Sequence, residues 1–295
     1  MGNHWHVPPL ADRENFALRT TERWQPPAFR PVRTRRDRIG AAGRRLLDLQ
    51  AASVWRDLRV LLADAHGDVL DVGSGAQPYR PLLPASVHYR AIDQAAAEEN
   101  FGYVVAQTEY FSGPRWPVGD DSVDLVLTTE TLEHVSNPPR FLAEARRVLR
   151  QGGRIVLTVP FSARWHYIPH DYWRFTPSSL RNLLEEAGFT DVVVHGRGNE
   201  VTVACAKAIA LVLPRLFPPG GGITVGRMAA ALGLPVVGLL ALAGQASLRS
   251  DGGDDCLGWT ATAQIAGRLR SAEHAASAEQ VSLDPPVGPR APSVR

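Results

Sequence analysis

VLDVGSGAQPY, residues 69–79, reads as a short buried strand that runs straight into a glycine turn. Val69, Leu70 and Val72 form the apolar run that a strand covered on both faces needs. Gly73 and Gly75 then let the backbone turn tightly and come close to a ligand. In an open α/β sheet, ligand crevices form at this place, just beyond the carboxyl end of a strand. Asp71 is the one charge in the run. An ionised carboxylate in an apolar strand is costly without a partner, so Asp71 is expected to accept hydrogen bonds from loop amides or to meet a cationic group of a ligand. Two glycines after a strand are a common turn, and the rest of the chain decides what they mean.

Outward from this stretch the pattern alternates between strands and helices. On the amino-terminal side Leu47, Ala51, Val54, Trp55, Leu58, Leu61 and Leu62 fall on one helical stripe, which predicts a helix packed on the sheet. On the other side Pro78, Pro81 and Pro84 forbid a long helix directly after the turn. A second strand over His88–Ile92 ends in Asp93, 18 residues after Gly75, where a carboxylate accepts the hydroxyls of a ribose. A third strand is expected at residues 103–106, followed by the loop TEYFSGPRWPVGDDS.

VDLVLT (123–128) is a fourth buried strand, and TETLEHVSNP continues from its carboxyl end. Asn137 and Pro138 start a helix whose apolar stripe is Phe141, Leu142, Ala145, Val148 and Leu149, and Gly152–Gly153 is read as its end. RIVLTV (154–159) is the fifth strand, Thr176–Pro177 opens another helix closed by Gly188, and Val192–Val194 is the sixth strand. LGWTATAQI (257–265) has the alternation of an antiparallel last strand. The fold expected is therefore α/β: a Rossmann-like, doubly wound, seven-stranded sheet with an antiparallel last strand and a helical hydrophobic insertion before it.

The 295 residues, 44% of them hydrophobic, are enough for one α/β domain with appendages. The expected boundaries are a flexible amino-terminal arm over 1–40, a domain over 41–270 containing the insertion at 201–249, and a disordered tail over 271–295. Arg33, Arg35, Arg36 and Arg38 cluster in the arm, which reads as a solvated tail, a substrate lid or a contact for anionic lipid. The net charge of +2 comes almost wholly from Arg, Lys207 being the only Lys, and does not suggest a nucleic-acid partner. Cys205 and Cys256 are too few for a disulfide framework or a zinc site, so no metal is expected. With no signal-peptide pattern at its start, the chain reads as cytoplasmic. Met228–Leu248 is 21 residues without a charge, whereas Val201–Phe217 is shorter and carries Lys207 and Arg215. The insertion thus reads as a packed cap or homodimer surface, as a peripheral membrane contact on the inner face, or as a spanning hairpin.

VLDVGSGAQPY, Asp93, VDLVLTTETLEHV, EARRVLRQGGRIVLTVP and LGWTATAQI, in that order, resemble a class I S-adenosylmethionine-dependent methyltransferase of the type 11 small-molecule group. The resemblance covers residues 66–196 and 256–265. HDYWRFTP and the hydrophobic insertion also resemble a subgroup associated with sugar and polysaccharide biosynthesis. Gln77 stands where the usual loop has a third glycine, and Arg150–Gln151 replace a common Lys-Pro.

The resemblance implies S-adenosylmethionine as cofactor. It implies that Asp71, Gly73, Ser74 and Gly75 surround the methionine part, that Asp93 binds the ribose with Gln94 nearby, and that Thr129 and Glu130 close the pocket. The adenine contact is expected near Thr108 and Glu109. The acceptor is a small molecule, a sugar or a lipid-linked compound, and O-methylation by in-line transfer is the leading reaction. His134, His166, His170 and Asp171 are the candidate bases, because His titrates nearest working pH. His170 and Asp171 equally well brace the loop through Arg174 or the backbone. Two rivals remain: a catalytically silent scaffold that keeps the donor pocket, and a nucleotide-dependent oxidoreductase. The proline-broken helix and the antiparallel last strand count against the second.

Overall fold

Asp48 divides two helices, α1 (Arg35–Leu47) and α2 (Leu49–Leu61), and caps the second by accepting a hydrogen bond from the Ala51 amide at 3.0 Å. In this computed structural model residues 31–32, 34–97, 104–216, 228, 232–250 and 254–266 are described. Helix α1 opens with a reciprocal cap between Thr34 and Asp37. Arg35, Arg36 and Arg38, expected in a flexible arm, therefore sit in a capped helix. Residues 1–30 and the tail over 271–295 lie outside the described residues.

The sheet contains β1 (Asp68–Val72), β2 (His88–Gln94), β3 (Thr108–Phe111), β4 (Val123–Thr129), β5 (Leu149–Pro160), β6 (Thr190–Arg197) and β7 (Gly258–Gln264). Their order is β3-β2-β1-β4-β5-β7-β6, with β1 to β5 parallel and β7 antiparallel to both of its neighbours. Alternate residues of the central strands face opposite layers. Leu70, Val126 and Ile155 pack with α3 (Pro138–Val148) and α4 (Pro177–Glu186) through Leu142 and Leu180. Val69, Leu125 and Val156 pack with α2 through Val54, Leu58 and Leu62. The seven-stranded, doubly wound sheet expected from sequence is the one observed.

Several local expectations change. The third strand lies at Thr108–Phe111, after residues 103–106, because Ala106 and Gln107 form a turn closed by the Thr108 amide on the Val105 carbonyl at 3.0 Å. Gly152–Gly153 does not end α3. Leu149 goes extended to end it, and the glycines form an irregularity inside β5, where pairing jumps from Val123–Leu149 to Leu125–Arg154. After the glycine turn only a single 3-10 turn forms, at Arg80–Leu82, as the prolines require.

The insertion contributes α5 (Glu200–Leu216) and α6 (Leu234–Ser247). Val203, Ile209, Val237 and Ala241 bury against one another and against Leu49 of α2. Gly244 is required at the crossing: a Cβ there would lie 2.3 Å from Leu49 Cδ1. The Gln245 side chain adds a hydrogen bond to the Arg45 carbonyl at 2.7 Å. The 14 residues of α6 extend about 21 Å, short of the ~30 Å of a bilayer core. Among the described residues no helix is long and apolar enough to cross a membrane.

Candidate active site

Strand β1 ends against a loop that only glycine fits at Gly73, where φ is +68° and a Cβ would stand 2.3 Å from Thr131 Cγ2. The Gly73 amide donates to the Ile92 carbonyl at 3.0 Å, and the Gly75 amide to Asp93 Oδ2 at 3.0 Å. Asp93 Oδ1 accepts from the Gln94 amide at 2.8 Å, so the carboxylate at the end of β2 both braces the loop and faces the crevice. Gln77 takes a left-handed conformation, φ 54°, at the position where a third glycine was missing. The strain is held by its amide on the Ser74 carbonyl at 2.8 Å and by its side chain on Thr108 Oγ1 at 3.0 Å.

These elements border a cavity of about 880 Å³, within the range of about 300–1,000 Å³ usual for ligand pockets. Of the residues singled out from sequence, Gly73, Ser74, Gly75, Asp93, Gln94, Thr129, Glu130 and His134 line it. Asp71, His170 and Asp171 do not. Asp71 is buried beneath the loop, and its partner is the Tyr89 hydroxyl at 2.7 Å, not a loop amide. Burial pushes the Asp71 carboxyl up to about 7, the neighbouring Asp93 charge adds to this, and the Tyr89 hydrogen bond opposes it. Thr108 and Glu109 lie on β3, outside the lining. Thr108 holds the loop through Gln77, and Glu109 is paired with Arg90 at 2.5 Å. Phe111 and Trp116 line that end of the cavity instead.

Residues that sequence reasoning passed over come from the first two helices. Arg44, Asp48 and Gln50 line the cavity, and Gln50 Nε2 donates to Glu130 Oε2 at 2.7 Å. Glu130 also accepts from the buried Arg197 guanidinium at 2.8 Å. These partners are 80 and 67 residues away in sequence, and no local motif announces them.

Another part of the cavity wall is imidazole. His134 Nδ1 lies 2.8 Å from the His170 carbonyl oxygen, which makes Nδ1–H the donor. Burial, and then the neighbouring His166, lower His134 to about 4, so it is neutral at ordinary pH. His166 also lines the cavity, 4.9 Å from His134 between ring centres, and its Nδ1 is 3.0 Å from Asp171 Oδ2. Asp171 receives the Arg174 guanidinium at 2.6 and 2.7 Å. Burial would raise the Asp171 carboxyl, but the hydrogen bonds from Arg174 and His166 outweigh it and hold the group well below the usual carboxylate range. The His170 ring points elsewhere, 3.3 Å from the Tyr172 hydroxyl. Its backbone, not its imidazole, reaches the site.

Comparison with known proteins finds methyltransferases. The family profile described as "Methyltransferase domain" matches residues 47–194. A "probable S-adenosylmethionine-dependent methyltransferase" of Mycolicibacterium smegmatis is 31% identical over 154 residues, 45% of this chain and 58% of that protein. The ubiquinone biosynthesis O-methyltransferase of Cereibacter sphaeroides is 28% identical over 172 residues, 49% of this chain and 65% of that protein. Among solved structures, a SAM-dependent methyltransferase from Thermotoga maritima is similar with a TM-score of 0.45 and 15% identity, over 77% of this chain and 95% of that one. The chain spans about half the length of the curated relatives it matches.

Proposed function

This chain belongs to the methyltransferase-domain family, the S-adenosylmethionine-dependent class I enzymes, and we propose that it transfers a methyl group to a hydroxyl of a small-molecule, sugar or lipid-linked acceptor. The observation that carries this reading is one cavity lined by two chemically different groups of residues. The first is the glycine cradle with Asp93, and the second is the imidazole pair His134 and His166.

The residues of the first group fit the donor. The Gly73 position has no room for a side chain, and Asp93 stands in the lining with both oxygens already oriented by backbone amides. A carboxylate accepts several hydrogen bonds at once, which suits a ribose diol. The backbone of Gly73, Ser74 and Gly75, with Thr129 and Glu130, would hold the methionine part, Gln94 would lie beside the ribose, and Phe111 and Trp116 offer apolar surface to the base. Bound there, S-adenosylmethionine supplies an electrophilic methyl on a sulfonium.

The chain's own work is to hold the acceptor oxygen in line at about 3–3.5 Å and to help remove its proton. We assign this to His134 and His166, which line the cavity with Nδ1 engaged by the protein. His170, through its carbonyl, and Asp171, through its carboxylate, are positioning residues for them. A sugar-type acceptor is supported by the resemblance carried by HDYWRFTP and by Arg164 and Tyr167 at the same wall. A labelled-methyl assay against sugar, lipid-linked and aromatic hydroxyl compounds tests the proposal. Transfer to a hydroxyl is expected. A protein that binds the donor yet methylates nothing in such a panel would instead be a silent donor-binding scaffold.

A further inference from the structure

Glu133 is fully buried at the foot of the imidazole wall, and both of its carboxylate oxygens lack a hydrogen-bond partner. A buried carboxyl in that state costs free energy whether it is ionised or neutral. One of its oxygens lies 3.5 Å from His134 Nε2. Glu133, His134 and His166 each offer one ligand atom, and these atoms all lie within 4.8 Å of one another. In both imidazoles the Nδ1 side is already committed, to the His170 carbonyl at 2.8 Å and to Asp171 Oδ2 at 3.0 Å. A ring that donates Nδ1–H to a carbonyl or carboxylate keeps its lone pair on Nε2, the arrangement in which histidines bind metals.

We propose that Glu133, His134 and His166 bind one divalent first-row cation, zinc above others, with an open position facing the cavity. Two ligands at about 2.1 Å from a tetrahedral ion stand about 3.4 Å apart, close to the 3.5 Å already separating Glu133 Oε1 from His134 Nε2. His166 supplies the third ligand atom, within 4.8 Å of the other two, from the wall of the cavity. Two imidazoles and one carboxylate form a set that suits zinc, and a site with three protein ligands leaves a fourth position open.

Glu133 is the carboxyl of this cluster that no guanidinium pairs, since Glu130 is bound by Arg197 and Asp171 by Arg174. Glu130, Glu133 and Asp171 bring three carboxyl groups, against the guanidinium groups of Arg174 and Arg197. Burial pushes the Glu133 carboxyl well above its ordinary range, and the Glu130 and Asp171 charges push it further. A bound cation would remove that penalty and give the two unpartnered oxygens a ligand to meet. Counting cysteines cannot find this site. His134 and His166 are far apart in sequence, and Glu133 reads as one acidic residue in a polar loop. On the proposed hydroxyl chemistry, with the ion bound the two imidazoles act as its ligands and no longer as bases, and the ion would lower the pKa of an acceptor oxygen at its open position, the proton leaving to solvent. Metal binding itself does not depend on that reading.

The test uses the full-length chain, stripped with chelator and titrated calorimetrically with zinc. One equivalent per chain is expected. Binding should weaken at least about tenfold in Glu133→Gln and in His166→Ala, with S-adenosylhomocysteine affinity unchanged in both as the check that the fold persists. Cobalt in place of zinc should give visible absorption that Glu133→Gln diminishes. If that absorption is the same in Glu133→Gln as in the unmodified chain, or if zinc binds no better than to Glu133→Gln, the proposal is overturned, whichever of the variants folds. Methyl transfer undiminished in the stripped enzyme would remove the catalytic role while leaving the hydroxyl-transfer reading standing. No transfer in either form, with zinc bound, would do the reverse.

Discussion

Replacing Asp93 by Ala tests the donor assignment most directly. Asp93 is 5% exposed at the end of β2, and its carboxylate accepts the Gly75 amide at 3.0 Å and the Gln94 amide at 2.8 Å. Two ribose hydroxyls donating to the same charged group would each add roughly 1.5–3 kcal/mol, the range for hydrogen bonds to charged partners. Water entering the space left by Ala recovers part of this, so the lower end, about 3 kcal/mol for the pair, is the better expectation. At 1.4 kcal/mol per tenfold, dissociation should weaken by about two orders of magnitude. Asp93→Asn keeps one oxygen and the size of the group, and should lose only about tenfold. The readout is calorimetry with S-adenosylhomocysteine. A melting curve on the same variant separates loss of the Gly75 brace from loss of the ribose contact. Affinity within about threefold of the unmodified chain, with Asp93→Ala still folded, would sink the ribose assignment and the argument from loop geometry behind it.

Other substitutions probe the remaining parts of the site and its support. Burial pushes the Asp71 carboxyl up from its ordinary 3.8 to about 7, so its protonated form is the one the fold prefers. Stability from this group is full below about pH 4, falls as pH rises towards 7 and is flat above. The upper bound on the loss is about 4 kcal/mol at 1.36 kcal/mol per unit. Asp71→Asn should therefore flatten the pH dependence of the melting temperature between pH 4 and 7, and an unchanged profile would show that the ionised carboxylate is paired. His170→Ala keeps the carbonyl used by His134 and should leave turnover within about threefold, whereas His134→Ala should lower it about a hundredfold or more in the labelled-methyl assay. In α6, Gly244→Val must displace Leu49 and should cost about 1–3 kcal/mol. Gly238→Ala, with nothing within 4 Å of the added carbon, should stabilise by about 0.5–1 kcal/mol. Equal melting temperatures for those two variants would contradict the packing of α6 on α2.

Where a local rule governs the structure, the chain declares it. The run into Gly73, the carboxylate 18 residues beyond Gly75, the Asn137–Pro138 cap and the alternation of residues 257–265 each follow from sterics acting over a few residues. Errors arise where two rules compete. Val104 and Val105 have strand composition, but the Ala106–Gln107 turn moves the pairing on to Thr108–Phe111. Gly152–Gly153 has the composition of a helix end, but β5 absorbs the glycines as a distortion. The greater loss is in the site. Gln50, Arg197 and Glu130 meet across separations of 80 and 67 residues, and their types say nothing of each other. HDYWR concentrates rings and charge, so it reads as a reactive stretch. Its backbone does as much of the work, with the Tyr172 and Trp173 amides donating to the Glu133 carbonyl at 2.9 and 3.3 Å.

That last contact shows how an irregular segment comes to hold two imidazoles in place. Residues 161–176 contain no helix or strand, so packing periodicity cannot position them. An ionic knot does so instead. Asp171 has a fully buried side chain and binds both Nη atoms of Arg174, and its Oδ2 meets both the His166 amide and the His166 ring Nδ1 at 3.0 Å. The next residues turn back, and the Trp173 indole donates to the Val135 carbonyl at 2.9 Å, tying the segment to the loop after β4. Glu133 and His134 sit on that loop, so both imidazoles and the buried carboxylate are referred to one frame. The loop in turn is joined to the glycine cradle, since Thr131 Oγ1 donates to the Gly73 carbonyl at 3.3 Å. Through these few polar contacts the glycine cradle and the imidazole pair, the proposed donor and acceptor sides, are set by the same backbone, which is what in-line transfer over a few ångströms demands of a site built largely from loops.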